Sequence, residues 1–344
     1  MRTDRAEAGE PAEPIDVVIL WVDVTDEDWQ RKRRRARGEK PLSYVGATND
    51  WDLLRYLLRG IDLYCPWVRT VHLVTPGQRP PWLDPSADDI VIVDQAELFP
   101  DDQQPTFNSM AVEANLDRIP GLAERFVYFN DDMLVVRPTG SEDVFPHGRP
   151  AGFAILNAIS GSSAWSHWVL NAVGIVDRAF DKRAVMRHRP LQWFSPRYGR
   201  HLLRNVALLP WGSFTGFFEP HLPMALRRRT FAEVRAAAPD EMTRTSTATF
   251  RSLDNVIPFV YRYWQLCSGD FTPVSPDRYG EFIQIGRDSI DRIEHALAHP
   301  RGHFLCLNDH PEAEDGEVRR RLYDALESAF PERSRFERAP SLGS

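Results

Sequence analysis

Long apolar runs are missing from this 344-residue chain. No stretch of about 18 apolar residues occurs, which excludes a membrane-spanning helix. Cysteine is scarce: Cys65, Cys267 and Cys306 are the only three. Such an odd, widely spaced set supports neither a disulfide framework nor a zinc ribbon and fits a reducing compartment. Positive charge is not in excess. The formal charge is −7, so the chain as a whole offers nothing to a nucleic acid. Lysine is confined to Lys32, Lys40 and Lys182. Met1 to Pro14 lacks the apolar core of a signal peptide and reads as a loose leader. No internal repeat is visible. What remains is an ordinary globular balance, 42% apolar, 26% charged and 11% aromatic, in a chain long enough to bury a large core.

Apolar periodicity organises both ends. Ile15 to Trp21 (IDVVILW) is a continuous apolar strand that ends at Asp23, and Val71 to Thr75, Ile90 to Val93 and Phe126 to Phe129 read as further strands. Among them, Asp26 to Arg37 reads as a charged helix with a solvated face. Asp52 to Tyr64 is an amphipathic helix stopped by Pro66, and Ser109 to Arg118 a short helix. This alternation predicts an α/β fold with a mostly parallel sheet. Beyond residue 150 the periodicity weakens, and basic clusters appear at Asp181 to Arg204 and Arg227 to Arg229. A strand at Glu281 to Ile285, a helix at Asp288 to Ala298, a strand at His303 to Leu307 and a final helix ending at Ala329 restore the order. The expected division is a leader (1–14), the first part of the core (15–150), an inserted helical lobe or lid (151–275) and the rest of the core (276–344).

Three apolar strands run into acids: Trp21-Val22-Asp23, Asn130-Asp131-Asp132 and Asn308-Asp309. Ligands of open parallel sheets sit beyond the C-terminal strand ends, so these acids are placed to share one pocket. Hard oxygen ligands suit Mg²⁺ or Mn²⁺. The competing reading is caps and turns, where Asn and Asp are common. The pair after FVYF favours metal, because full burial would leave two carboxylates unpaired. Other candidates divide evenly between roles. Asn108 and Ser109 open a helix whose N-terminus suits a phosphate or a plain cap. Arg59 suits a phosphate or solvent, and Trp21 a stacked base or the core. The basic stretch 181–204 suits an anionic substrate or a solvated face.

Four blocks in order resemble the Stealth family of sugar-1-phosphate transferases, which includes the GlcNAc-1-phosphotransferase catalytic subunit. IDVVILWVD resembles the first conserved region. The second is matched by DLLRYLLRGIDLYCPWVRTVHLVTPGQRPPWL with QPTFNSMAVEANLDRIPGLAERFVYFNDDM. His221-Leu-Pro with Phe250-Arg251 resembles the third, HFLCLND the fourth, and FPERSRFE the C-terminal signature. Val24, Gly60 and Gln104 depart from the residues common in the family. The resemblance implies a Rossmann-like, glycosyltransferase-like sheet and a metal-dependent transfer. An acceptor hydroxyl attacks the phosphorus that carries the sugar of a nucleotide-sugar donor, a UDP-sugar foremost, and a nucleoside monophosphate leaves. Asp131, Asp132 and Asp309 are the implied metal ligands, with Asp131 and Asp309 also catalytic. His221 is the implied base or transition-state donor and Arg251 the phosphate clamp, both on a lobe that closes over the site. Trp21, Asp23, Arg59, Asn108, Ser109 and Asn130 are the implied donor contacts. The acceptor is a polysaccharide or glycolipid, and the implied setting is cytoplasmic, compatible with peripheral contact to the inner face of a membrane. Two other readings stay open: a metal-dependent glycosyltransferase that releases a nucleoside diphosphate, and a non-catalytic glycan-binding protein.

Overall fold

The computed structural model describes residues 13–38, 51–84, 86–100, 105–309 and 315–339. Most of the expected leader and Gln104 lie outside the described residues. The strands are β1 (Ile15–Leu20), β2 (Val68–Thr75), β3 (Ile90–Asp94), β4 (Arg125–Asn130), β5 (Met133–Val135), β6 (Ala151–Gly152), β7 (Met224–Arg227), β8 (Thr272–Pro273), β9 (Gly280–Gln284) and β10 (Phe304–Asn308).

The main sheet has the order β3-β2-β1-β4-β7. The first four strands are parallel, with Val17 opposite Val71 and Leu20 opposite Asn130. Their apolar runs are continuous because both faces are covered. The order reverses between β1 and β4, so a crevice opens beyond their C-terminal ends. One buried charge ties the centre together. Asp16 accepts from Arg69 Nε at 2.8 Å and Nη2 at 2.6 Å and from the Ala123 amide at 2.8 Å, with His72 Nε2 3.2 Å away. Burial alone would raise its pKa, but these partners hold the carboxyl below the usual carboxylate range.

The middle region also contributes to the core sheets. Its strand β7 joins the main sheet antiparallel to β4, and β6 and β8 pair where the region leaves and rejoins the core. The C-terminal strands also differ from expectation. β10 is outside the main sheet, in a second sheet of order β5-β10-β9, antiparallel to β5 and parallel to β9. The helix Leu53–Tyr64 packs its apolar stripe on this junction. Gly60 permits the contact, since a Cβ there would fall 2.4 Å from the Val135 carbonyl oxygen.

Candidate active site

The crevice is a cavity of about 1500 Å³. The ends of β1, β4 and β10 reach it: Trp21, Asn130, Asp131, Asp132, Asn308 and Asp309 all line it. β4 delivers its acids in the main sheet and β10 delivers its pair from the second. The two are joined where the Leu307 amide donates to the Asp132 carbonyl at 2.8 Å and Asn308 Nδ2 to Asp132 Oδ2 at 3.0 Å. Asp309 Oδ1 accepts from Trp51 Nε1 at 2.8 Å.

His221 arrives from the loop before β7, and its Nε2 lies 3.8 Å from Asp132 Oδ2 and 3.5 Å from Asn130 Nδ2. Its φ of +53° is left-handed, a conformation that a non-glycine residue keeps only when its surroundings impose it. Arg262 imposes it here. Its guanidinium donates to Glu219 Oε1 at 2.5 Å and to the carbonyls of Leu222 and Pro223 at 3.2 and 2.8 Å, on both sides of the histidine. Burial alone would lower the His221 pKa, but Asp132, with Glu219 and Glu113, outweighs burial and raises it. The converse holds for Asp132. Burial would raise its pKa, and His221, Asn308 and Cys306 bring it below the ordinary value. Behind them, Tyr128 Oη lies 2.8 Å from Glu113 Oε1 and 2.7 Å from Asn130 Oδ1. One phenol proton cannot serve two acceptors. Burial raises the Glu113 pKa, and the Tyr128 hydroxyl is placed to donate to either of these oxygens. The Asn130 amide nitrogen in turn lies toward His221.

A divalent cation fits this corner. Asp132 Oδ1 is buried without a hydrogen-bond partner, which is costly unless a ligand meets it, and Asp131 and Asp309 face the same cavity. Ligand atoms of Asp132, His221 and Cys306 also lie within 4.8 Å of one another. Burial and the adjacent Asp132 keep the Cys306 thiol protonated, so the carboxylates are the better donor set and a hard ion the better guest.

Four arginines line the cavity as well: Arg33, Arg37, Arg251 and Arg292, the last paired with Glu281. Arg251 Nη2 donates to Ser109 Oγ at 2.8 Å and its guanidinium lies over Trp168. Arg33 lies over Trp29, which meets Phe107 edge to face, and Phe107 stacks on Phe250. The Nε atoms of Arg33 and Arg37 are buried without a partner. Burial, Arg37 and Arg251 together lower the Arg33 pKa, as expected for like charges held together away from water. Sequence reasoning assigned this helix a solvated face. The missed signal is Trp29-Arg33-Arg37 at intervals of four, one stripe of the helix Glu27–Arg37.

Several expected residues do other work. Arg59 is buried away from the cavity: it donates to Glu337 at 2.8 and 3.0 Å and to the Phe330 carbonyl at 2.7 Å, holding the C-terminal FPERSRFE segment. Asp23 Oδ1 accepts from the Thr25 amide and hydroxyl at 2.8 and 2.6 Å, an Asx turn that keeps it off the cavity wall. Asn108 does line the cavity, but its Oδ1 caps the Met110 amide and its Nδ2 donates to Asn255. Ser109, beside it, positions Arg251. The basic stretch does not reach the principal cavity either. Lys182, Arg189 and Arg197 donate to backbone carbonyls of neighbouring segments.

Comparison with known proteins follows the same blocks. Stealth protein CR1, conserved region 1, matches residues 13–41; CR2, conserved region 2, matches 47–151; CR4, conserved region 4, matches 295–342. The exopolysaccharide phosphotransferase cps2G of Lactiplantibacillus plantarum is 35% identical over 327 residues, covering 94% of this chain and 96% of its own. A capsular polysaccharide phosphotransferase, WcwK of Streptococcus pneumoniae, is 31% identical over 332 residues, with 95% and 98% covered. The receptor polysaccharide phosphotransferase WefC of Streptococcus oralis is also 31% identical over 332 residues, with 94% and 99% covered. His221 and Arg251 fall between the second and fourth matched regions, and the fold brings them to the same cavity.

Proposed function

The chain belongs to the Stealth family, and from that premise we propose that it transfers a sugar-1-phosphate from a nucleotide diphosphate sugar to a glycan hydroxyl. At the coarser level it is a phosphotransferase of polysaccharide synthesis. The observation that carries the finer reading is that one cavity is lined by two kinds of group. Strand-end carboxylates with His221 are one kind, and the arginines Arg33, Arg37 and Arg251 are the other. A diphosphate donor needs both, a place for a cation and a cationic grip on its oxygens.

In this reading the acceptor oxygen attacks the phosphorus that bears the sugar, and its proton passes to His221 Nε2. The bond from that phosphorus to the nucleotide breaks, and its electron pair leaves with the nucleoside monophosphate. The anomeric bond is untouched. Arg251 grips the transferring group, with Ser109 holding its fork. Arg33 and Arg37, which line the same cavity, receive the charge that grows on the leaving nucleotide. Asp131, Asp132 and Asp309 would hold a divalent cation, which when bound neutralises diphosphate charge. Arg59 and Asp23 serve the structure in this reading, and the Asn108 side chain shapes the turn that carries Ser109. Three free, buried cysteines are in keeping with a cytoplasmic setting.

The test is to incubate the protein with UDP-, GDP- and CDP-sugars, Mg²⁺ and a glycan acceptor, and to identify the released nucleotide. A monophosphate, lost on exhaustive chelation and restored by Mg²⁺ or Mn²⁺, is the expected result. Release of a diphosphate would convert the reading to glycosyl transfer.

A further inference from the structure

From Lys182 to Phe218 the chain has no aspartate or glutamate, although acids exceed bases overall to give −7. Six arginines lie in the same stretch, and Arg187, Arg197, Arg200 and Arg204 are exposed. The stretch also carries apolar side chains on its surface. Nine large hydrophobic residues are exposed among the described residues, and five of them are here: Leu191, Leu203, Val206, Leu209 and Trp211. Leu203 is 73% exposed and Trp211 56%. Scattered exposed apolar residues need no explanation, but a cluster does.

The fold holds this cluster outward. Leu203 and Val206 lie one turn apart on the helix Leu202–Leu208. On its other side the buried Asn205 accepts from the Leu156 amide at 2.6 Å and donates to the carbonyls of Ala154 and Trp193 at 2.8 and 2.6 Å. Those three bonds fix the helix about its axis. The turn after it is fixed as well, because the buried Lys182 donates Nζ to the carbonyls of Leu208 and Trp211 at 2.7 and 2.8 Å. Leu191 belongs to the short helix Pro190–Trp193, which Asn205 ties to the same unit.

We infer that this face docks on an anionic lipid surface. Aliphatic residues and a tryptophan presented together with arginines form an interfacial surface, in which the apolar tips enter the headgroup boundary and the guanidiniums meet lipid phosphates. The stretch itself carries no carboxylate over 37 residues, which limits the repulsion an anionic surface would meet, and the exposed Asp277 at its edge lies 3.6 Å from His201. The position is also apt. Arg200 lines a second cavity of about 610 Å³ together with Glu281 and Arg292, and both of these also line the principal cavity. The docked face is thus beside the site, whatever reaction the site performs.

The experiment is co-sedimentation of the full chain with vesicles of phosphatidylcholine alone and of equimolar phosphatidylcholine and phosphatidylglycerol, at low and high salt. Binding is expected to the mixed vesicles, weakened by salt. The double variant Leu203→Glu, Trp211→Glu and the triple variant Arg197→Gln, Arg200→Gln, Arg204→Gln should each reduce it by at least about tenfold. Unchanged melting temperatures would show that both variants fold, and release of nucleotide with a soluble acceptor should stay at the parental rate. Failure of the parent to sediment with the mixed vesicles, or sedimentation of both variants like the parent, overturns the proposal. Light scattering checks the rival occupant. A dimer of the parent that the apolar variant dissolves would assign the face to a second copy and overturn the lipid assignment.

Discussion

His221 shows how much of this site is made by one residue's surroundings. A left-handed histidine next to a proline has little local reason to adopt its conformation, and Arg262 holds it from both sides. With the imidazole aimed at Asp132, His221→Ala should lower transfer roughly 10²–10⁴-fold with little change in donor affinity, read from single-turnover rates beside donor titrations. Arg251→Lys should be nearly as damaging as Arg251→Ala, since an ammonium cannot reproduce a planar fork already aligned by Ser109. Asp16 is the structural counterpart, a charge that serves the sheet rather than the chemistry. Its carboxyl pKa is lower folded than unfolded. Its contribution is therefore present above the ordinary carboxylate pKa near 4 and disappears as pH falls through the lower folded value. Asp16→Asn should cost about 2–3 kcal/mol at neutral pH. Unfolding by urea should show the gap between parent and variant narrowing as the pH drops below about 4. A gap that stays constant with pH would mean that Asp16 titrates alike in the folded and unfolded states, so that its charge does not stabilise the sheet.

At the scale of elements, the helix Glu27–Arg37 and the helix Leu53–Tyr64 exchange the roles that their sequences suggest. The first has no fully buried residue and a strongly polar composition, so its bland reading was natural. Only the placement of β1 beside the crevice turns the Trp29-Arg33-Arg37 stripe inward. The second ends its apolar stripe near Arg59, and nothing local shows that a C-terminal segment folds back to supply Glu337 as its partner. Each exchange makes a prediction, and each is a control for the other. Arg33→Gln or Arg37→Gln should weaken donor or pyrophosphate binding about tenfold, the cost of one charged hydrogen bond. The same changes should raise the melting temperature by roughly 1–2 °C, because they relieve repulsion between neighbouring guanidiniums. Arg59→Ala should do the opposite. It leaves Glu337 buried without its partner, costs about 3–5 kcal/mol of stability, and leaves donor KM unchanged at temperatures where the protein is folded. Calorimetry and donor titration on the same three variants separate the two cases. An Arg33 variant that melts below the parent would return that helix to a structural role.

For the molecule as a whole, what was legible followed from burial. Continuous apolar strands, an amphipathic helix and acids at strand ends all report which residues leave water, so the parallel α/β core and the acidic corner could be read directly. Long-range partnership has no such local mark. Leu226 lies opposite Phe126 on β4, a pairing 100 residues apart that nothing within MALR announces. Without it the middle of the chain reads as an inserted helical lobe or lid. The structure makes a closing lobe unnecessary for assembly. His221 sits three residues before β7, whose hydrogen bonds to β4 fix it to the strand that delivers Asp131 and Asp132, and it already stands 3.8 Å from Asp132 Oδ2. Such a site is preorganised, and its groups need little reorganisation when charge develops. Hydrogen exchange on the protein with and without a donor, or its product monophosphate, should therefore show protection confined to the cavity wall: the helix Glu27–Arg37, the 106–113 turn and the 248–251 segment. The amides of β4 and β7 should exchange slowly in both states. Loss of protection across Met224–Arg227 in the free protein, restored by ligand, would show instead that the strand docks only on binding, and that the middle of the chain is the mobile lid its sequence suggests.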